Sequence, residues 1–202
     1  MLSSRKTVKI KDKWRLKTWF SVYSPKYLGD LEIASIPASD KSKLLGRIIE
    51  TTLYDIVKQD ISQMNLKTHF QVIQIQETRA DTIFKGHEYS REYLRSLVRR
   101  GSSRIDSIYD VQTKDDYKIR VHASAFSRRR LAPSQETSIR NLTKQIIFEK
   151  AKNLAFDQLV HELILGKVAS DIYNIATKIA PLRHVGIRKS RLLASPATPQ
   201  PN

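Results

Sequence analysis

The sequence predicts an α+β fold: an antiparallel, β-barrel-like core with helices packed around it, a basic N-terminal arm and a disordered C-terminal tail. Three observations predict it. Runs rich in β-branched residues, several of them alternating, fill most of the stretch from Gly46 to Phe126. A single amphipathic, arginine-bearing segment interrupts them. Beyond Pro133 the apolar spacing changes from that of a strand to that of a helix.

Taken in order, residues 1–28 form the arm. Lys9, Lys11, Lys13, Arg15 and Lys17 are interleaved there with Trp14, Trp19, Phe20 and Tyr23, until Pro25 and Gly29 break the run. Cations among aromatics offer phosphate contacts and stacking platforms together. The same rings are also suited to anchoring the arm on the core. Residues 29–133 form the β-rich core. A strand is expected over 48–54 and a long one over 66–76, whose alternation slips between Val72 and Ile73, as a bulge or a strand buried on both faces would make it. Residues 80–84 give a shorter strand.

A basic helix is inserted at about 88–100. Tyr89, Tyr93, Leu94, Leu97 and Val98 share one side, while Arg91, Arg95 and Arg99 recur at i, i+4 and i+8 along the other. Arg100, Ser102, Ser103 and Arg104 carry the basic surface into a loop. A hairpin follows, 105–111 against 117–126, closed around Lys114, Asp115 and Asp116. In its second arm Ile119, Val121, Ala123 and Ala125 take one face, and Arg120, His122 and Ser124 the other. Strands with polar outer faces predict a closed or strongly curved antiparallel sheet.

Residues 134–193 form the helical region. Ser134 is a candidate N-cap for a helix burying Ile139, Leu142, Ile146, Ile147 and Ala151. A second apolar stretch spans 156–166, and Val168, Ile172, Ile175 and Ile179 continue at helical spacing until Pro181. Arg183, Val185, Ile187, Arg188, Lys189 and Arg191 then read as a last basic strand. The tail, 194–202, holds Ser-Pro, Thr-Pro and Gln-Pro pairs and is expected to be disordered.

Charge narrows the function. The 202 residues include 36 Lys and Arg against 20 Asp and Glu, a net charge of +16. Such an excess repels itself in a folded chain, and a polyanionic partner offsets that cost. A membrane is the weaker candidate for that partner. No apolar run reaches the roughly 20 residues that span a bilayer, and the basic residues are spread over loops and strands rather than along a lipid-dipping helix. No apolar segment of the signal-peptide kind follows the basic start. The absence of cysteine removes disulfides, thiolate metal sites and cysteine nucleophiles, and fits a reducing cytoplasm.

Signs of catalysis are missing. The six glycines form no phosphate-cradling loop, and His69, His87, His122, His161 and His184 lack metal-ligand spacing. No cofactor, metal or enzymatic activity is expected. Binding is better supported. Arg128, Arg129 and Arg130 end the hairpin, with no carboxylate downstream before Glu136. Guanidinium groups are always charged and match phosphate oxygens in a planar fork. With the arm, the helix stripe and the last strand, they predict multi-point contact with a folded RNA rather than readout of a DNA groove.

Four segments also carry a resemblance: KDKWRLKTWFSVYSP (11–25), LLGRIIETTLYDI (44–56), FKGHEYSREYLRSLVRRGSSRID (84–106) and VHELILGKVASDIYNIATKIAPLRHVGIRKSRLL (160–193). Together they resemble the eS-one, or S-three-a-e, family of small-subunit ribosomal proteins, shared by archaea and eukaryotes. The short C-terminus resembles the archaeal form. The resemblance implies a structural, non-catalytic protein with a β-barrel-like core, on the platform of the small subunit near the 3′ end of its rRNA. It implies rRNA, neighbouring ribosomal proteins and mRNA near the exit as partners, a cytoplasmic location, and no homo-oligomer. It carries an RNA-facing role onto Arg91, Arg95, Arg99, Arg100, Arg104, Arg188 and Lys189. The same role for Arg128 to Arg130, and for Arg5 and Lys6, rests on charge alone. A non-ribosomal RNA-binding or RNA-chaperone protein is the alternative reading.

Overall fold

The computed structural model describes residues 14–15, 17–57 and 61–196. Eight strands form one sheet: β1 (Thr18–Tyr23), β2 (Glu32–Ala38), β3 (Ile48–Thr52), β4 (Leu66–Gln76), β5 (Arg79–Tyr89), β6 (Arg104–Gln112), β7 (Lys118–Ser127) and β8 (Leu182–Ala194). Five helices accompany them: α1 (Leu53–Val57), α2 (Arg91–Leu97), α3 (Pro133–Asn153), α4 (Phe156–Ile164) and α5 (Lys167–Ala176).

The sheet forks at β5. One edge of β5 pairs with β4 along its length, and β3 extends that side. The other edge is shared: Arg79–Asp81 runs parallel to β1, and Gly86–Glu88 runs antiparallel to β8. From there β1 leads to β2, and β8 leads to β7 and β6. Among the described residues no pairing joins β2 or β3 to β6, so the sheet is open where closure into a barrel was expected. Splitting one edge of β5 between two partners sends the strands along two branches, with no common ring to close. The β1–β5 pairing also makes the sheet mixed rather than wholly antiparallel.

The core follows the alternation read from the sequence. Ile119, Val121, Ala123 and Ala125 of β7 are buried beside Leu182, Val185 and Ile187 of β8. Helices α3, α4 and α5 cover this face with Ile139, Ile147, Phe156, Leu159, Leu163 and Ile172. At about 25 cal/mol per Å² of apolar surface removed from water, this layer is the main stabilising term. A smaller cluster, including Val22, Ile49, Val72 and Ala80, fills the space between β1 and β4.

Local chemistry explains where elements depart from the sequence reading. The strand expected over 48–54 stops at Thr52, because Thr52 and Asp55 cap a helical turn. The Asp55 carboxylate accepts from Thr52 N–H (3.2 Å), and Thr52 Oγ1 accepts from Asp55 N–H (3.3 Å). The strand expected over 80–84 runs on to Tyr89, since Gly86 lets the β8 backbone come close. The slip at Val72 is a bulge that turns Ile73 out, 57% exposed. Pro133, not Ser134, opens the long helix: it is the first helical residue, and the Gln135 side chain accepts from Ala132 N–H at 3.3 Å. Helix α5 ends at Ala176, so Ile179 lies in a turn beyond it. Residues 18–23, read as part of the arm, lie in the sheet, with Phe20 buried and Trp19 60% exposed.

Candidate nucleic-acid interface

Antiparallel pairing brings two arginine segments together. Arg104 opens β6 and pairs with Phe126 near the end of β7, so the loop after α2 and the loop after β7 leave the sheet at the same end. Serine hydroxyls join them. Ser103 N–H donates to Ser127 Oγ (2.8 Å), Ser127 N–H donates to Ser103 O (3.0 Å), and Leu131 N–H donates to Ser103 Oγ (3.1 Å). The Ser127 hydroxyl donates to Arg129 O at 2.5 Å. Arg128 N–H reaches Pro181 O (3.0 Å), which ties in the start of β8 and places Arg183 at this end too. A cleft of about 440 Å³ opens between the loops, lined by Gly101, Ser102, Arg130 and the first turn of α3.

Helix α2 is the short arm of this site. Ser90 caps it by accepting from Tyr93 N–H (3.3 Å), and Tyr93 packs edge-on against Tyr89 with ring centroids 5.2 Å apart. Tyr93 also meets His184, so an aromatic cluster fixes the inner face. Arg91 and Arg95 are exposed on the outer one. The helix ends at Leu97, which carries Arg99 off the predicted i+8 line. Val98 adopts an extended conformation, Gly101 takes φ +73°, and the Ser102 hydroxyl donates to Arg99 O (2.7 Å). Arg99 and Arg100 therefore sit in a turn that faces the Arg128–Arg130 loop's end of the sheet.

The predicted cations divide by their partners. Arg91, Arg95, Arg99, Arg100, Arg128, Arg129, Arg130 and Arg191 are exposed and form no ion pair among the described residues. Arg104 is held by Asp106 (Nη2 to Oδ2, 2.9 Å), and Arg188 reaches the same carboxylate at 3.9 Å. Burial opposes ionisation of Asp106, yet hydrogen bonds from Ser124 and Arg104 and the nearby guanidinium charges keep it below its ordinary range. Lys189 binds Glu88 (2.8 Å), whose carboxyl is lowered chiefly by that hydrogen bond. Arg183 is half-buried, and its Nη2 has no hydrogen-bond partner among the described residues. Lys17 lies over the Trp14 ring, 4.2 Å from its centroid, and Arg15 is exposed. Arg5, Lys6, Lys9, Lys11 and Lys13 lie outside the described residues.

Two exposed rings are suited to stacking: Trp19 on β1, 60% exposed, and Trp14 before β1, 59% exposed with Lys17 over it. The histidines are spread over the fold: His69 lies 3.9 Å from Glu88, and His184 sits in the aromatic cluster. His87 is buried, His122 is half-buried beside Arg188, and His161 is exposed on α4. Among the described residues no group of three His, Asp or Glu is placed to hold a metal, and no helix is long and apolar enough to cross a membrane. The residues that sequence reasoning passed over are the serines. The sequence marks Ser103 as part of the basic loop and gives no sign of its bonds to Ser127, although each abuts an arginine run, and the hairpin register sets them opposite.

Comparison with known proteins gives a consistent result. The sequence model of the Ribosomal S3Ae family matches residues 5–196. A protein of Desulfurococcus amylolyticus named small ribosomal subunit protein eS1 is 45% identical over 202 residues, covering 99% of this chain and 94% of its own. Proteins of the same name from Staphylothermus marinus and Archaeoglobus fulgidus are 42% and 45% identical over 199 residues, each covering 98% of this chain and 93% and 94% of their own.

Proposed function

The chain belongs to the Ribosomal S3Ae family, and from that premise we propose that it is a structural protein of the small ribosomal subunit, held there by its arginine-rich sheet end on rRNA. The observation that carries the reading is the likeness, along nearly the whole chain, to archaeal proteins named small ribosomal subunit protein eS1. The geometry supports it. Arg99, Arg100 and Arg128 to Arg130, which lack carboxylate partners among the described residues, stand on two loops tied together by hydrogen bonds, which suits phosphates spaced along a folded backbone. Trp14 and Trp19 supply faces on which unpaired bases stack.

The chain acts without catalysis, in the cytoplasmic ribosome, beside other small-subunit proteins. The platform near the 3′ end of the rRNA is its proposed position, with mRNA near the exit within reach. Sucrose-gradient fractionation of a lysate tests this, with the chain followed across free and small-subunit fractions at moderate and high salt. Stoichiometric presence in the small subunit at moderate salt is expected. Recovery only in the free fractions would refute the ribosomal reading and leave a free RNA-binding protein in its place.

A further inference from the structure

Helices α4 and α5 have a charge balance opposite to that of the sheet end. Helices α4 and α5 carry Asp157, Glu162 and Asp171 against Lys167 alone, in a chain whose net charge is +16. Between α3 and α5 lies a groove of about 460 Å³ whose apolar lining is Ile146, Leu154 and Ile175. Ile175 is 43% exposed, although it continues the apolar spacing of α5. An adjoining groove of about 560 Å³ shares Leu154 and Glu162 and ends on Leu165, 49% exposed.

The charges around the first groove are fixed in place. Lys150 crosses it, with Nζ 2.7 Å from Glu162 Oε2 and 2.6 Å from Asp171 Oδ2, and Lys167 holds the other Glu162 oxygen at 2.8 Å. Glu149 on its wall is exposed and forms no ion pair among the described residues. Asp157, in the adjoining groove, has its carboxyl raised first by burial and then by the nearby Asp115 charge. Asn153 and Asn174 add side-chain amides able to pair with a peptide backbone.

We infer that the groove between α3 and α5 is the docking site for an extended, Lys- or Arg-bearing segment of a neighbouring small-subunit protein. Charge complementarity selects this occupant. A phosphate backbone brought to this groove meets Glu149, Glu162 and Asp171 against Lys150 alone, with Asp157 in the adjoining groove, so RNA is disfavoured while a cationic peptide is drawn in. An apolar side chain of the segment fills the space between Ile146 and Ile175, and its cations pair with Glu149 and Asp171. The inference rests on the ribosomal reading above.

The test places a photoreactive phenylalanine analogue at position 175 and illuminates intact small subunits. Mass spectrometry of the crosslinked peptide is expected to find one ribosomal-protein segment of net positive charge. Crosslinks to rRNA, or none in subunits that hold the variant stoichiometrically, would overturn the docking site and leave the ribosomal reading standing. Absence of the wild-type chain from subunits would overturn both. Should the analogue perturb folding, Glu149→Lys serves instead, since Glu149 is exposed and unpaired. It is expected to lower retention of the neighbouring protein in salt-washed subunits roughly 5-fold, with rRNA binding unchanged. Unchanged retention of every protein would also overturn the inference.

Discussion

His87 is the one fully buried histidine, and its two ring nitrogens are both engaged. Nε2 lies 3.1 Å from Ile187 O, and because a carbonyl only accepts, Nε2 carries the proton and Nδ1 accepts from the Ser190 hydroxyl at 2.7 Å. Burial therefore disfavours the charged ring, and its pKa falls to about 4. Between pH 6.5 and 4 the unfolded chain binds a proton there that the folded chain does not. Stability from this residue is complete above pH 6.5 and is lost as the pH falls toward 4, by about 3 kcal/mol in all. Urea midpoints measured from pH 7 to 5 should drop for the wild type and drop less steeply for His87→Gln. Parallel slopes would show that His87 is not the group responsible. Gly86, next to it, acts through space rather than charge. A Cβ there would lie 2.3 Å from Ser190 O, so Gly86→Ala must push β5 from β8 and is expected to cost about 2–3 kcal/mol. Gly101 has nothing within 4 Å but takes φ +73°, so Gly101→Ala should cost only about 1 kcal/mol of backbone strain. Equal losses in the two variants would remove the close approach as the reason for Gly86.

At the scale of elements, the hairpin β6–β7 shows how a site forms from segments that the sequence keeps apart. Its alternation of Ile119, Val121, Ala123 and Ala125 was legible because strand periodicity is local. The long helix and the bulge after Val72 were legible for the same kind of reason. The end of α2 was less so. Helical spacing continues through Arg99, but the Ser102 hydroxyl and the left-handed Gly101 stop the helix from beyond its own wheel. What could not be read locally was which cations already had partners. Lys189 and Arg130 look alike in sequence, yet Glu88 of a different strand holds the first, and the second is exposed at the cleft. These two classes should separate in binding. Replacing Arg128, Arg129 and Arg130 together by Gln is expected to reduce the salt dependence of rRNA affinity by about two to three units of slope, near one per lost phosphate contact. Arg104→Gln should change it by less than about half a unit, because its charge is already compensated. Filter binding over a series of salt concentrations measures both, and equal effects would refute the division.

For the molecule as a whole, the decisive property is the segregation of charge between two layers. Helices α3, α4 and α5 hold five carboxylates and five Lys or Arg, so the entire excess of +16 lies in the strands, loops and termini. Composition gave the sum and could not show its placement, which depends on the forked sheet. That fork arises from a parallel contact between residues 21–23 and 79–81, far apart in sequence and without a local signal. One consequence is measurable on the intact chain. If the sheet end alone meets RNA, the plot of log affinity against log salt concentration should have a slope between about −3 and −7, set by its unpaired arginines. Exchanging Lys144 and Lys152 on the exposed side of α3 for Gln removes two charges from the chain but none from that surface. The slope should then stay within about half a unit of the wild type, although total charge falls as far as it would on losing two arginines of the 128–130 loop. A drop of about two units would mean that RNA responds to net charge wherever it sits, and the layered arrangement would have no part in recognition.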